Sequence, residues 1–413
     1  MGPGLVTGAS DDDPSGIATY SQAGAAFGLS LLWSSVLTLP LLIAVQEMCA
    51  RIALVTGKGL LANIQARFSR PVVGMVVLLL VTANTLNLGA DIGMMAASAR
   101  LIVPLPNWLL LMVFTAMTLV MQICIPYATY AKYLKWLTLS LLAYILVGNS
   151  LTIDWGQVFT FTFIPHIQWS KEYWLMFVAL LGTTISPYLY FWQTNQTVEE
   201  ERLRAHIRPA HLRQPMSLLR KDIPLMRGDV TAGMIISNMV AWFIILTAGL
   251  VLHTNGIFEI TSADQAARVL APFAGQWASL IFAVGIIGTG LLAVPVLSAS
   301  AAYALSEFLG VEGGLSQTWK ESSTFYGMII FVTFLGLGIN IFSTNPVRAL
   351  IISAVCNALI AAPILFCIIR IGSDKVLMKT YVNQTLSKVL GWTTFFVMGG
   401  SALTWFVISV CLK

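Results

Sequence analysis

About eleven stretches of this chain are apolar enough, at roughly 20 residues or more, to cross a bilayer as α-helices. They run approximately over 3–27, 30–54, 71–101, 104–126, 128–150, 173–198, 229–254, 276–307, 323–343, 346–370 and 390–411. These runs are long and apolar throughout, unlike the short alternating segments of a membrane barrel. The expected class is therefore an all-α integral membrane protein, one transmembrane domain over 1–413. Composition agrees: charged residues are 10% and hydrophobic residues 57% of the chain, whereas a soluble domain carries roughly a quarter charged residues. The opening MGPGLVTGAS has no basic segment and runs straight into acidic residues. It reads as the start of the first membrane element rather than a cleaved leader.

The net charge of +5 reflects where the basic residues sit. With the N-terminus in the cytoplasm, every Lys and Arg falls on the inner side except Arg100, Lys171, Arg268, Arg348 and Lys413. The positive-inside rule thus predicts an inner-membrane protein with its N-terminus in and its C-terminus out. The basic segment 201–228, with His206 and His211, reads as a cytoplasmic loop that fixes this topology and meets anionic lipid headgroups. Glu47 lies four residues before Arg51, the spacing of an ion pair along a helix. The five cysteines, Cys49, Cys124, Cys356, Cys367 and Cys411, all lie in apolar runs without metal-ligand spacing and read as buried structural thiols.

Two spans break the apolar pattern. The first, GPGLVTGASDDDPSGIATYSQAGAAFG, carries Asp11, Asp12, Asp13 and Pro14 at its centre. The sixth, WLMFVALLGTTISPYLYFWQTNQ, carries Gly182, Thr183, Ser186 and Pro187. Proline removes a backbone donor, and freed backbone groups inside a bilayer persist only where protein or an aqueous cavity satisfies them. Interrupted helices at corresponding places in two halves mark an inverted-repeat transporter with its site near the midplane. The halves are approximately 1–150 and 172–371, with an additional helix at 390–411. Asp13-Pro14 and Ser186-Pro187 each place an N-cap residue before proline at the first helical position. A charge at mid-bilayer costs about 2.5–3.5 kcal/mol, so three adjacent aspartates call for cations, water or protons. A carboxylate at Asp13, facing carbonyls released near Gly182 and Thr183, reads as a cation site. Asn84, Asn87 and Asp91 share one helix face and read as the lining of an aqueous or proton path, to which Asp11, Asp12 and Tyr188 contribute.

These motifs together resemble the NRAMP family of divalent metal carriers. The first span resembles the family's first helix, built around Asp-Pro-Gly-Asn. ARIALVTGKGL (50–60) resembles the end of its second, and GTTISPYLYFWQ (182–193) its Gly-Ala-Thr-Val-Met-Pro-His motif. The resemblance implies a leucine-transporter-like fold of about eleven helices, with the first and sixth broken. It places Asp13 on the family's metal-binding aspartate, Gly16 where an asparagine ligand stands, Thr183 at a ligating carbonyl, and Ser186 in place of the methionine ligand. Tyr188 and Gln193 stand at histidine positions.

Losing the methionine removes the soft ligand that favours transition metals, leaving oxygen ligands suited to hard cations. Small residues at 16 and 186 leave room for the waters that Mg²⁺ retains. The expected cargo is Mg²⁺ first and Mn²⁺ second. Asp91 matches the family's acidic residue on the third span, but the sixth-span histidines are gone and FYGMIIFVTFLGLGINIF holds no charge. Weak or absent proton coupling follows. A same-fold carrier of an organic cation is the alternative, and a non-transporting sensor is a more distant one, since no output domain is seen. Neither an enzyme, a resident cofactor nor a nucleic-acid partner is expected, and the chain is expected to act as a monomer in the lipid bilayer.

Overall fold

A computed structural model describes residues 2–126, 129, 141–207, 222–341 and 345–411. The basic segment 208–221, with His211, lies outside the described residues, as do most of the first half of the fifth span and Lys413. The side chains of His206 and Cys411 are likewise not described.

The chain opens with α1 (Pro3–Asp11) and α2 (Pro14–Phe27), which together make the first span, broken at its centre. Then follow α3 (Trp33–Thr56), the short α4 (Leu60–Gln65), α5 (Arg70–Ala99), α6 (Asn107–Cys124) and α7 (Leu142–Ser150). A short helix that the sequence pattern does not mark, α8 (Trp155–Phe163), leads into the second broken span, α9 (Lys171–Thr184) and α10 (Pro187–Ile207). The remaining long helices are α11 (Asp222–Val251), α12 (Ala278–Leu309), α13 (Ser323–Ile339), α14 (Pro346–Gly372) and α15 (Thr385–Cys411). Among the described residues, eight helical stretches are long and apolar enough to cross a membrane. The broken first span and the shorter α13 add to these.

Large apolar side chains such as Leu78, Trp108, Phe159, Phe331, Leu403 and Phe406 stand exposed around the perimeter. A water-soluble fold does not display such a belt, whereas a lipid-solvated one does. This also corrects the reading of the cysteines. Cys49 and Cys367 are buried, but Cys356 is half-buried and Cys124 exposed, because an apolar run in lipid does not need to face protein.

Inside the bundle, the half-helices pack against continuous ones: α1 and α2 on α11, α9 on α14, and α14 on α5. Small residues allow the approach. A Cβ on Gly4 would stand 2.6 Å from the Val230 backbone, and one on Gly182 would stand 2.6 Å from the Ala358 nitrogen. Gly4 and Gly8 form a small-xxx-small face, the usual device for close helix contact where lipid supplies no hydrophobic drive.

The expected Glu47–Arg51 pair is present, bidentate at 3.0 and 3.1 Å, and does more than anchor one helix end. Arg227 on α11 also donates to Glu47 (3.0 Å), while Arg51 donates to the Tyr381 carbonyl (2.6 Å) and to Asn383 (2.7 Å). Arg51 is only 3% exposed. Removing one partner of a buried pair strands the other charge at about 3–5 kcal/mol. Glu47→Ala is expected to lower stability by roughly that much, read as a fall in unfolding temperature in detergent; a conservative Glu47→Gln should lose less.

Candidate functional site

Each broken span has its cause in one proline. In an unbroken helix, the Ser10 carbonyl would accept from the backbone nitrogen at position 14, and the Thr183 carbonyl from that at 187. Pro14 and Pro187 have no N–H to give. Both carbonyls instead meet side-chain hydroxyls: Tyr188 at 3.2 Å from Ser10 O and Ser186 at 2.7 Å from Thr183 O.

Asp13 begins α2 as its N-cap, accepting from Gly16 N at 2.6 Å through Oδ1. Its Oδ2 accepts from Asn87 Nδ2 at 2.9 Å and lies 3.3 Å from the Tyr188 hydroxyl. Asn87 is in turn oriented by Ser353 on α14, which donates to its Oδ1 at 2.8 Å. Asp13 thus has two N–H donors, from α2 and α5, and a tyrosine hydroxyl on α10 whose one proton the Ser10 carbonyl also claims. The Tyr20 and Thr184 hydroxyls, 3.0 Å apart, tie the second half of the first span to the break in the other.

Asp11 and Asp12 turn away from Asp13 toward α11. Ser237 lies 2.7 Å from Asp11 Oδ2 and 3.3 Å from Asp12 Oδ1. A hydroxyl carries one proton, so the two carboxylates share a single donor. Asp91 lies one turn beyond Asn87 on α5, and neither of its oxygens has a hydrogen-bond partner among the described residues. None of the four aspartates is more than 3% exposed, and the ion pairs among the described residues involve none of them. No three His, Cys, Asp or Glu side chains among those residues converge to hold a metal by themselves. An ion here would rely on carbonyl, hydroxyl, amide and water oxygens as well.

A cavity of about 220 Å³ opens beside the first turn of α1, lined in part by Pro3, Gln193, Thr197 and Asp229. The Thr7 hydroxyl, one turn before Asp11, lies 2.6 Å from Gln193 Oε1 and 2.7 Å from the Pro3 carbonyl. Gln193 thus lines the cavity and meets α1 one turn before Asp11.

A family model described as natural resistance-associated macrophage protein-like matches residues 4–408. The chain belongs to the NRAMP family. Its similarity to the divalent metal cation transporter MntH of Klebsiella pneumoniae is 25% identity over 402 residues, covering 95% of this chain and 90% of that protein. The manganese transporter of Eremococcus coleocola, solved with an aromatic bis-isothiourea compound, matches with a TM-score of 0.75 at 18% identity, over 99% of this chain and 86% of that one. Mhp1, a nucleobase-cation-symport-1 family transporter in a closed conformation, matches with a TM-score of 0.58 at 12% identity, over 99% and 93%. These likenesses bear out the inverted-repeat, leucine-transporter-like fold.

Within this NRAMP chain, three sequence expectations need correction. Gly16 adds no side chain and no free space: a Cβ there would stand 3.2 Å from the Asp11 carbonyl and 3.3 Å from the Tyr20 ring. It takes part as an N–H donor to Asp13. Ser186 does not cap the helix that follows it. Its hydroxyl turns back to the Gly182 (2.8 Å) and Thr183 carbonyls, the second of which is the acceptor that Pro187 leaves open. Asn84 leaves the polar stripe, since its amide donates to the Leu297 carbonyl (3.0 Å) and Ser300 (2.7 Å) on α12. It is an interhelical tie. Sequence reasoning missed Tyr20, Ser237, Ser353 and the Thr7–Gln193 bond. For Ser237 and Ser353 the signal was a polar residue deep in an apolar run.

Proposed function

We propose that this NRAMP chain is a secondary transporter that carries a hard divalent cation, Mg²⁺ first and Mn²⁺ second, by alternating access. The observation that carries this reading is the Asp13 carboxylate: fully enclosed at the junction of two broken helices, held by polar neighbours, and without a cationic side chain beside it. A buried carboxylate so placed is neutralised by a mobile cation or a proton, and the polar neighbours around it offer oxygen ligands to a cation. The family's curated relative is named a divalent metal cation transporter, which supports the divalent class.

Hardness follows from the ligand chemistry. Asp13, the carbonyls at Ser10 and Thr183, the Ser186 and Tyr188 hydroxyls, and water are all oxygen donors, and sets of that kind suit Mg²⁺, Ca²⁺ and Mn²⁺ over softer metals. With the N-terminus read as cytoplasmic, the cavity beside α1 would be the inward route, reached from the site by parting Thr7 from Gln193.

In proteoliposomes, Asp13→Ala is expected to reduce Mg²⁺ and Mn²⁺ uptake to that of empty vesicles; undiminished flux of both ions would refute the reading. Ser186→Met places a thioether beside the Thr183 carbonyl and is expected to raise Cd²⁺ uptake relative to Mg²⁺, measured by competition. Proton coupling is proposed to be weak or absent, because the sixth-span histidines are replaced by Tyr188 and Gln193. Cation uptake should leave the lumen of dye-loaded liposomes at constant pH, and acidification in step with uptake would show the coupling to be strong.

A further inference from the structure

The short helix α8 (Trp155–Phe163) contains no Lys, Arg, Asp or Glu, and neither does the segment after it as far as Ser170. It is nonetheless a helix with a built start. Asp154 accepts from the backbone nitrogens of Gly156 (3.0 Å) and Gln157 (3.2 Å), the usual work of an N-cap.

At about 100° of turn per residue, the positions of α8 fall into three sectors. Val158, Phe161 and Thr162 face the protein: Val158 is 2% exposed, Phe161 is half-buried, and Thr162 accepts from the Trp242 indole of α11 at 3.1 Å. Trp155, Phe159 and Phe163, at i, i+4 and i+8, fill roughly the next 80° of arc. Their rings stand 45%, 60% and 64% exposed. Gly156, Gln157 and Thr160, also exposed, occupy the sector after that. An aromatic flank turned wholly to water would be costly, and a helix sunk in hydrocarbon would gain nothing from a separate polar flank. A helix lying in the plane of the boundary satisfies both.

The neighbouring tryptophans mark the same level. Successive spans cross in opposite directions, so the fourth, sixth and eighth spans all begin on the face where α8 lies. Trp108 at the start of α6, Trp169 just before α9 and Trp277 just before α12 are each exposed, and exposed tryptophan gathers at the lipid–water boundary.

We propose that α8 is an interfacial helix whose partner is the lipid bilayer itself: Trp155, Phe159 and Phe163 enter the headgroup–acyl boundary, and Gln157 and Thr160 face water. The helix then acts as a float for the second broken span. Phe161 stacks on His166 with ring centroids 4.1 Å apart, and the His166 carbonyl accepts from Tyr173 in the first turn of α9 at 3.1 Å. The end of α9 is thereby held at a set depth. The proposal is independent of which cargo the protein carries.

The test places a nitroxide label on one introduced cysteine at a time, Gln157→Cys, Phe159→Cys, Thr160→Cys or Phe163→Cys, in the full-length protein reconstituted in phosphatidylcholine–phosphatidylglycerol vesicles. The unsubstituted chain, labelled alike, supplies the background from its own thiols. Power-saturation spectroscopy compares collisions with oxygen, which enters lipid, and with a water-soluble nickel chelate. Oxygen is expected to dominate at 159 and 163, and nickel at 157 and 160. Nickel dominating at 159 and 163 would put the aromatic flank in water and overturn the proposal. Oxygen dominating at all four would bury the helix in hydrocarbon and overturn it equally. Low collision rates with both reagents at 159 and 163 would mean that protein covers the flank; spin–spin broadening there would identify a second copy of this chain as the occupant, and lipid would be ruled out. Positions 159 and 163 report separately, so one variant that fails to fold leaves the other to decide.

Discussion

Two missing N–H groups organise the centre of this protein. Pro14 and Pro187 each leave a carbonyl without its helical donor in a region where lipid offers no substitute. The chain answers each deficit with a hydroxyl: Tyr188 for the Ser10 carbonyl and Ser186 for the Thr183 carbonyl. The first of these comes from the opposite broken span, so repairing the backbone also locks the two spans together. Asp13 sits at this join, as N-cap of one half-helix and neighbour of the tyrosine that mends the other. Backbone repair and charge placement are one arrangement.

Holding a carboxylate there takes support from further out. Asn87 fixes Asp13, Ser353 on α14 fixes Asn87, and Gly182 lets α14 pack closely on α9. The contrast with Asp11 and Asp12 is informative. Asp13 is met by N–H donors from α2 and α5 and neighbours the α10 tyrosine, whereas the other two share one serine hydroxyl on α11. Three adjacent, chemically identical residues thus occupy different electrostatic situations because the unwound segment turns them to different sides. Away from the centre, the Glu47 cluster ties α3, α11 and the 381–383 segment with fixed charges. A conformational change that opens either side must leave that cluster whole or exchange its partners, since a lone buried charge is costly.

Much of this was legible in the residue order. Apolar runs of bilayer length, the two prolines in matching spans, the capping role of Asp13 and the Glu47–Arg51 pair all arise from neighbours a few residues apart, and the structure bears them out. Gly16, Ser186 and Asn84 were misread because each has two chemically reasonable partners. Gly16 was read by the side chain it lacks, when Tyr20 and the Asp11 carbonyl fill that space. Ser186 was read as a forward cap, when the acceptor opened by Pro187 lies behind it. Asn84 was grouped with Asn87 by helical spacing, yet Leu297 and Ser300 claim its amide.

What the sequence by itself determined is the material and its punctuation: a lipid-solvated helical chain, interrupted twice, with acid at one interruption. Those features follow from local rules, because bilayer length, proline's missing donor and the capping of a half-helix are settled within a turn or two of chain. Only the tertiary structure decided which interruption faces which partner. Tyr188 meets Ser10 and Ser353 meets Asn87, because helices far apart in the chain pack at glycine contacts that no local pattern encodes.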